Sequence, residues 1–225
     1  MPEPMPKPQS QLPSDDLPFS LALVMLLMGA AAMGISPIFV RFAEVGPFAS
    51  AFWRVFLSIP ILFFWAWYES SKSGRKIRWK LDRPIILAGL FFSGDLIFWH
   101  LSIVNTTVAN ATLMATLAPV WVILFSKAFI GEAVSRATYI GLIFCLIGAA
   151  LLIGSSFQLA PERILGDIFG FITSIFFGLY FLAIRVARRS RKGGEATFIS
   201  TLITSAVLLI FAILTADKMF PDTMN

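Results

Sequence analysis

The sequence predicts an all-α polytopic membrane protein. Hydrophobic residues make up 57% of its 225 residues and charged residues only 14%, with a mean hydropathy of +0.81. A soluble domain carries about a quarter charged residues, so this chain has too few to cover a water-soluble globule. The charges cluster in short islands, and the apolar runs between them approach the roughly 20 residues that a helix needs to cross a bilayer.

The apolar runs predict seven transmembrane helices, at about 20–41, 48–68, 84–104, 107–129, 137–155, 164–184 and 197–216. Residues 1–18 are rich in proline and have no apolar pattern, so we expect a disordered cytoplasmic tail there. Residues 217–225 are expected to form a short tail. Pro60 and Pro119 lie inside the second and fourth spans, where proline usually leaves a kink or a freed carbonyl.

The distribution of lysine and arginine predicts the orientation of these spans. With the N-terminus in the cytoplasm, most of the eighteen basic residues fall on the cytoplasmic side, chiefly in 72–83 and 185–192. We therefore expect a multi-pass protein of the cell inner (plasma) membrane with a cytoplasmic N-terminus and the lipid bilayer as a partner. This topology accounts for the net charge of +5, which is not a nucleic-acid signal.

An internal repeat is the most informative pattern in the chain. The first span contains GISPIFVR (34–41) and the sixth contains GLYFLAIR (178–185). Five spans separate equivalent positions, and an odd number means that the two copies cross the membrane in opposite directions. Inverted repeats of this kind recur in secondary transporters, whose substrate sites lie near the midplane between the repeats. The first copy would hold five helices and the second only two, as in a truncated chain.

Three groups of motifs make the sequence resemble the EamA type of the drug/metabolite transporter (DMT) superfamily. The first span ends in VR and is followed, after a short turn, by AFWRVFLS (51–58). The run FWHLSIVNTTVANATLMATLAPVWVILF (98–125) leads to FIGEAVS, which contains Gly131 and Glu132. The glycine-bearing segment IGLIFCLIGAALLI (140–153) then closes the first repeat.

The resemblance covers 20–216 and implies ten helices in two inverted five-helix repeats. On that basis 19–156 is the first EamA-type repeat, and 164–216 is the start of the second, with the chain truncated after its seventh helix. The resemblance also implies an integral membrane transporter of small metabolites or drugs, most simply a secondary-active exporter in the plasma membrane.

Ionisable residues inside the spans are the candidates for a substrate site, because a charge in the hydrocarbon layer needs a partner or a water-filled cavity. Asp95 lies deep in span three, and Arg54 lies in span two, within reach of it. We expect Arg54 to attract the anionic group of a small-molecule substrate, and Asp95 to balance that charge or exchange a proton. Trp99, one helical turn from Asp95, would offer a stacking surface. The alternative is a buried Arg54–Asp95 ion pair that holds the two helices together.

Two polar residues complete the predicted substrate site. His100 lies near the outer boundary beside Trp99 and is interpreted as an interfacial anchor, with a proton relay as the alternative. Asn110, one turn into the membrane, fits substrate contact and helix packing equally. No cofactor or metal is expected, because one histidine and one cysteine, Cys145, on separate segments do not form a metal site.

The alternatives to a transporter are a seven-helix photoreceptor or receptor, an intramembrane enzyme and a non-functional fragment. A retinal protein needs a lysine in its last span, and 197–216 has none; a signalling receptor would place its N-terminus outside. An intramembrane protease, the enzyme alternative, needs a serine–histidine pair or two facing aspartates. A non-functional transporter fragment stays open because of the missing helices. A homodimer is a further expectation.

Overall fold

A computed structural model describes residues 19–74, 76–131, 134–153 and 160–221 of the chain. The regular structure in those ranges is helical: α1 (Phe19–Phe42), α2 (Pro47–Phe56), α3 (Ile59–Lys72), α4 (Arg83–Asn105), α5 (Val108–Ala115), α6 (Ala118–Ile130), α7 (Arg136–Ile153), a 3₁₀ turn (Pro161–Arg163), α8 (Ile164–Ala187) and α9 (Gly193–Leu214). The predicted tail at 1–18, Glu132 and the last four residues, 222–225, lie outside the described ranges.

These helices correspond to the seven predicted spans and confirm the fold class. Within the described ranges, six runs are long and apolar enough to cross a membrane: Phe19–Val40, Pro47–Lys72, Arg83–Asn105, Val108–Ile130, Pro161–Ala187 and Gly193–Leu214. A shorter apolar helix, Arg136–Leu151, corresponds to the fifth span. The protein is therefore a multi-pass helical membrane protein.

The prolines inside the second and fourth spans interrupt their helices. Pro60 and Pro119 each occupy the second position of a new helix, α3 and α6. Because proline has no N–H, the carbonyl four residues earlier receives no helical hydrogen bond. Those carbonyls belong to Phe56 and Ala115, which are the last residues of α2 and α5. Local bonds bridge the first break: the Ser58 N–H and Oγ both donate to the Val55 carbonyl, at 3.1 and 2.7 Å. The second span is thus two helices, of which α2 is a short one.

Contacts divide the chain into two compact units, 1–37 and 38–225. In the described part of the first unit lies most of α1, up to Pro37. In the second unit α8 packs chiefly against α4 and α6, and also against α5. The ninth helix packs against α4 on one side and against α2 and α3 on the other.

Glycines allow α4 and α8 to approach closely. A Cβ at Gly166 would lie 2.5 Å from the Asn105 carbonyl carbon, and one at Gly94 would lie 2.6 Å from the Phe176 ring. Small residues at helix contacts are the usual means by which membrane helices gain dispersion energy, since lipid tails supply no hydrophobic driving force between helices. This close packing makes the α4–α8 pair the centre of the second unit.

The end of the bundle where the basic segments meet is here named the basic face. Its centre is Arg191, whose side chain is completely buried. The Arg191 guanidinium donates to Glu195 at 2.6 Å and to Asp82 at 3.1 Å. It also donates to the carbonyls of Arg78, at 2.6 Å, and Lys80. Arg191 therefore ties the loop before α4 to the start of α9. The other end, with the 43–46 and 105–107 turns, is named the opposite face.

Candidate functional site

Asp95 is a buried carboxylate in the middle of α4. The residue is 7% exposed. At 1.5 Å per residue it lies about 18 Å from the start of the helix and about 15 Å from its end. The next two residues, Leu96 and Ile97, pack into an apolar cluster with α2 and α9. Asp95 therefore lies next to the apolar cluster through which the second, third and seventh spans pack together.

Arg54 lies in the last turn of α2, beside this carboxylate. Its side chain is exposed, whereas its neighbours Phe52 and Val55 are buried against α4 and α9. The charges of Arg54 and Asp95 lie close enough to influence each other electrostatically. The ion pairs found in the described part of the chain do not include one between them. The alternative of a direct ion pair holding the two helices together therefore has no support in this geometry.

Tyr180, on α8, was not predicted and lies near the same carboxylate. It interacts electrostatically with Asp95, and its ring stacks on Phe92 of α4, with centroids 4.7 Å apart and planes 25° apart. Phe177, one turn earlier on α8, lies parallel to Tyr180 at 6.4 Å. Phe92, Phe177 and Tyr180 are named the aromatic wall. The sequence signal that could have identified Tyr180 is its position inside the repeat motif GLYFLAIR.

Trp99 does not belong to the aromatic wall. It is half-buried and packs against the apolar cluster of Val40, Ile103 and Ala111. Asp95 and Trp99 do share one helix and lie one turn apart, as expected. The contacts of Trp99 are those of a packing residue, whereas Tyr180 interacts electrostatically with Asp95.

His100 is enclosed completely, with no exposed surface. Its Nδ1–H donates to the Leu96 carbonyl at 2.8 Å, which leaves Nε2 as the free ring position. Nε2 is buried and has no hydrogen-bond partner among the described residues. An interfacial anchor needs one end in the polar boundary, so that interpretation of His100 is wrong. The residue does interact electrostatically with Arg54.

Asn110 belongs to a separate polar cluster at the opposite face. Its Nδ2 donates to Asp167 Oδ1 at 3.0 Å, and Thr106 Oγ1 donates to the same oxygen at 2.7 Å. Thr107 caps α5 by accepting the Asn110 N–H at 3.0 Å, and donates to Asn110 Oδ1 at 2.9 Å. These four residues are named the Asp167 cluster. They join α4, α5 and α8, so the geometry favours a structural role for Asn110. Sequence reasoning missed Asp167, an acidic residue in the first turn of span six.

Two cavities lie away from Arg54 and Asp95. The larger, of about 600 Å³, is a groove between α6 and α8 at the basic face, lined by Val122, Ser126, Ile130, Phe181, Leu182, Ile184, Arg185, Arg188 and Arg189. The smaller, of about 360 Å³, lies at the opposite face and is lined by Val40, Ala43, Val45, Pro47, Ser50, Ile103 and Val104. In the described ranges, acidic, histidine and cysteine side chains form no group of three that could hold a metal ion.

The helical architecture agrees with a comparison to known families. The sequence profile of the EamA-like transporter family matches residues 20–154, more than half of the chain. The chain belongs to the EamA-like transporter family. This membership supports the transporter class over the receptor and enzyme alternatives.

Curated relatives of this EamA-like chain include named transporters. The pseudopaline exporter CntI of Pseudomonas aeruginosa is 26% identical over 141 residues, which cover 63% of this chain and 48% of the exporter. An uncharacterized transporter of Archaeoglobus fulgidus is 26% identical over 184 residues, covering 82% of this chain and 63% of that protein. The chain thus matches about half to two thirds of the length of these relatives.

A solved crystal structure shares the fold. It superposes with a TM-score of 0.66 at 23% sequence identity, over 88% of this chain and 66% of that one. The likeness extends beyond residues 20–154, so it also includes helices that follow the family match.

Proposed function

We propose that the protein exports small metabolites or drugs that carry both a negative and a positive group, as a secondary-active transporter of the plasma membrane. The observation that carries this proposal is Arg54, exposed at the end of α2, next to Asp95, buried halfway along α4. Ionised groups at this depth are costly without a partner or water. A cation and a carboxylate that interact without a direct ion pair are each available to a charged group of a substrate.

Each residue of the proposed site has a distinct role. Arg54 binds the anionic group of the substrate, for which the guanidinium offers paired N–H donors. Asp95 binds the cationic group or exchanges a proton with it. The aromatic wall contacts the apolar part of the substrate, and Trp99 packs α4 against the cluster of Val40, Ile103 and Ala111. His100 adjoins Arg54 through its electrostatic interaction.

The orientation follows from the basic face. Segments 76–83 and 185–192 meet there around Arg191, and basic residues at span ends are retained in the cytoplasm. The N-terminus then lies in the cytoplasm, and Glu162, at the opposite face, lies outside.

An inverted repeat relates the two halves in this proposal. Glu69, at the end of the second span, accepts the Gly194 N–H at the start of the seventh, at 2.7 Å. Asp217, after the seventh span, accepts the Phe48 N–H at the start of the second, at 2.7 Å. Glu69 and Asp217 thus each end one of these two spans and each accept an N–H group at the start of the other span. Reciprocal contacts of this kind are what a two-fold axis generates, and here the axis would lie in the membrane plane.

Inside-out membrane vesicles from cells that express the full chain test the proposal, because export then becomes uptake. Pseudopaline, the substrate in the name of one relative, and the protein amino acids serve as probes. We expect uptake above that of vesicles without the chain. Arg54→Gln and Asp95→Asn should each lower it roughly tenfold, which corresponds to a loss of about 1.4 kcal/mol of binding free energy.

Arg136→Gln is the matched control, since Arg136 is an exposed arginine at the start of α7. Its uptake should equal that of the unaltered chain at equal expression. The proposal fails if no probe is taken up above background, or if Arg54→Gln and Asp95→Asn transport as well as the control.

A further inference from the structure

The helix that carries Arg54 is too short to hold its own orientation. The second helix has ten residues, and the break at Leu57 and Ser58 separates it from α3. Helices of this length are marginal by themselves, because few hydrogen bonds offset the entropy of nucleation. The contacts at the two ends of α2, together with its packing on α4 and α9, therefore set where Arg54 points.

The start of α2 lacks a cap of its own. Its N-cap residue is Gly46, which has no side chain, although the first N–H groups of a helix need acceptors. Asp217 supplies the acceptor from the far end of the chain: its Oδ2 accepts the Phe48 and Ala49 N–H groups, at 2.7 and 2.9 Å. The Gly46 N–H donates to the Lys218 carbonyl at 2.9 Å. A Cβ at position 46 would overlap the Asp217 carboxylate, so glycine is needed there.

A tight turn after α9 brings Asp217 to this place. Ala216 adopts a left-handed backbone conformation, with φ of 51°, which is unfavourable for alanine. The Asp217 N–H donates to the Ala212 carbonyl at 2.9 Å and closes the turn. Surrounding contacts must maintain such a conformation, and the bonds to the start of α2 are among them.

The same segment also holds the other end of α2. The Trp53 indole N–H donates to the Met219 carbonyl at 2.9 Å. Its ring lies against Phe220, with centroids 5.8 Å apart. Met219 packs on the apolar cluster that contains Phe52 and Val55. Residues 215–220 thus contact α2 at its first turn and at the residue next to Arg54, and are named the clasp.

We propose that the clasp positions Arg54 for the substrate, with Asp217 as the principal positioning residue. The proposal rests on the role of Arg54 in the proposed function. Contacts at both ends of α2 fix its rotation and its position along its axis, and those two quantities decide the direction of the guanidinium. Loss of the clasp would leave Arg54 present but displaced.

Glu69 makes a similar capping contact that does not involve the helix carrying Arg54. It accepts the Gly194 N–H at the start of α9, so it caps a helix of the same pair of spans with the same chemistry. That contact lies at the basic face, where α3 ends, and α2 takes no part in it. Removing the Glu69 carboxylate should affect stability as removal of the Asp217 carboxylate does, but it should not displace Arg54.

The first experiment compares Asp217→Ala with Glu69→Ala in the full chain, by pseudopaline uptake into inside-out vesicles. Asp217→Ala should raise KM roughly fivefold with a smaller change in kcat, because displacing a positioning group weakens substrate placement. Asp217→Asn should restore KM, since asparagine caps a helix as well as aspartate does. Glu69→Ala should leave KM unchanged. Equal KM values for Asp217→Ala and Glu69→Ala would overturn the proposal.

The second experiment needs no transport and separates this proposal from the proposed function. An Arg54→Cys reporter in a Cys145→Ala background is reacted with a charged methanethiosulfonate, with Asp217→Ala or Glu69→Ala added. The reaction rate should change at least about threefold with Asp217→Ala alone, as the side chain at position 54 moves. Trp53→Phe, which removes only the indole N–H, should change the rate in the same direction if Asp217→Ala does not fold. Rates that respond equally to loss of either carboxylate, or to neither, refute the clasp.

Discussion

Buried polar side chains in this protein differ in how many of their hydrogen-bonding groups have a partner. Asn110 is fully buried and bonded to both Thr107 and Asp167. His100 is equally buried, but among the described residues only its Nδ1 has a partner, which is the carbonyl of its own helix one turn earlier. Removing a fully bonded residue leaves buried partners unsatisfied, whereas removing a half-bonded one does not.

This difference predicts that two substitutions lower the free energy of unfolding by different amounts. Asn110→Leu should lower it by about 1–3 kcal/mol, since the Asp167 carboxylate and Thr107 hydroxyl lose a partner. His100→Met should change it by less than about 1 kcal/mol, because the lost bond is offset by removal of the unsatisfied Nε2. Denaturant titration in detergent micelles measures both. A larger loss from His100→Met would show that Nε2 has a partner in the membrane.

At the scale of helices, the need for glycine depends on the free space around the position of a Cβ. Gly166 of α8 meets the backbone of Asn105, which cannot move away without disturbing the turn after α4. Gly141 of α7 has no atom near the position of a Cβ among the described residues. The same residue type is therefore required at one helix contact and dispensable at another.

Gly166→Ala should lower the apparent melting temperature of the protein, and Gly141→Ala should not. The first substitution forces α8 away from α4 and is expected to cost about 1–3 kcal/mol, as overpacking does. The second adds a methyl group in open space and replaces glycine with a better helix former. Thermal unfolding followed by size-exclusion chromatography compares the two. A stable Gly166→Ala variant would mean that the two helices lie further apart than described.

Over the whole molecule, the arrangement of basic residues is the feature that predicts the orientation of the protein in the membrane. Arg191 gathers loops from two distant parts of the sequence into one face, and the acidic caps Glu69 and Asp217 lie at opposite ends of the second and seventh spans. The homodimer and the plasma-membrane location stay predictions.

Cysteine labelling tests the orientation. In a Cys145→Ala background, Ser71→Cys at the basic face should react with a membrane-impermeant maleimide only in inside-out vesicles. Glu162→Cys, at the opposite face, should react only in intact cells; both positions are exposed. Labelling of Ser71→Cys in intact cells would reverse the topology that the positive-inside rule predicts.

Sequence reasoning reached most of the fold and part of the site. Composition and apolar run length predicted the seven spans, and Pro60 and Pro119 predicted where two of them break. The roles of Arg54 and Asp95, which sequence reasoning singled out, stay predictions. Sequence reasoning failed for His100, whose enclosure depends on neighbouring helices, and it missed Tyr180 and Asp167 on α8. The segment after residue 216 was taken for a tail, although it caps α2.

The sequence by itself determined that the chain lies in a lipid bilayer, which segments form helices and how many helices there are. Hydropathy and backbone hydrogen bonding in a bilayer act on local segments, so a local pattern is enough to predict them. The tertiary structure alone decided which polar groups meet. Asp217 and the start of α2 are 168 or more residues apart, and their bond exists because the second and seventh spans pack antiparallel. Contacts of that range depend on the packing of whole helices, which no local pattern of residues encodes.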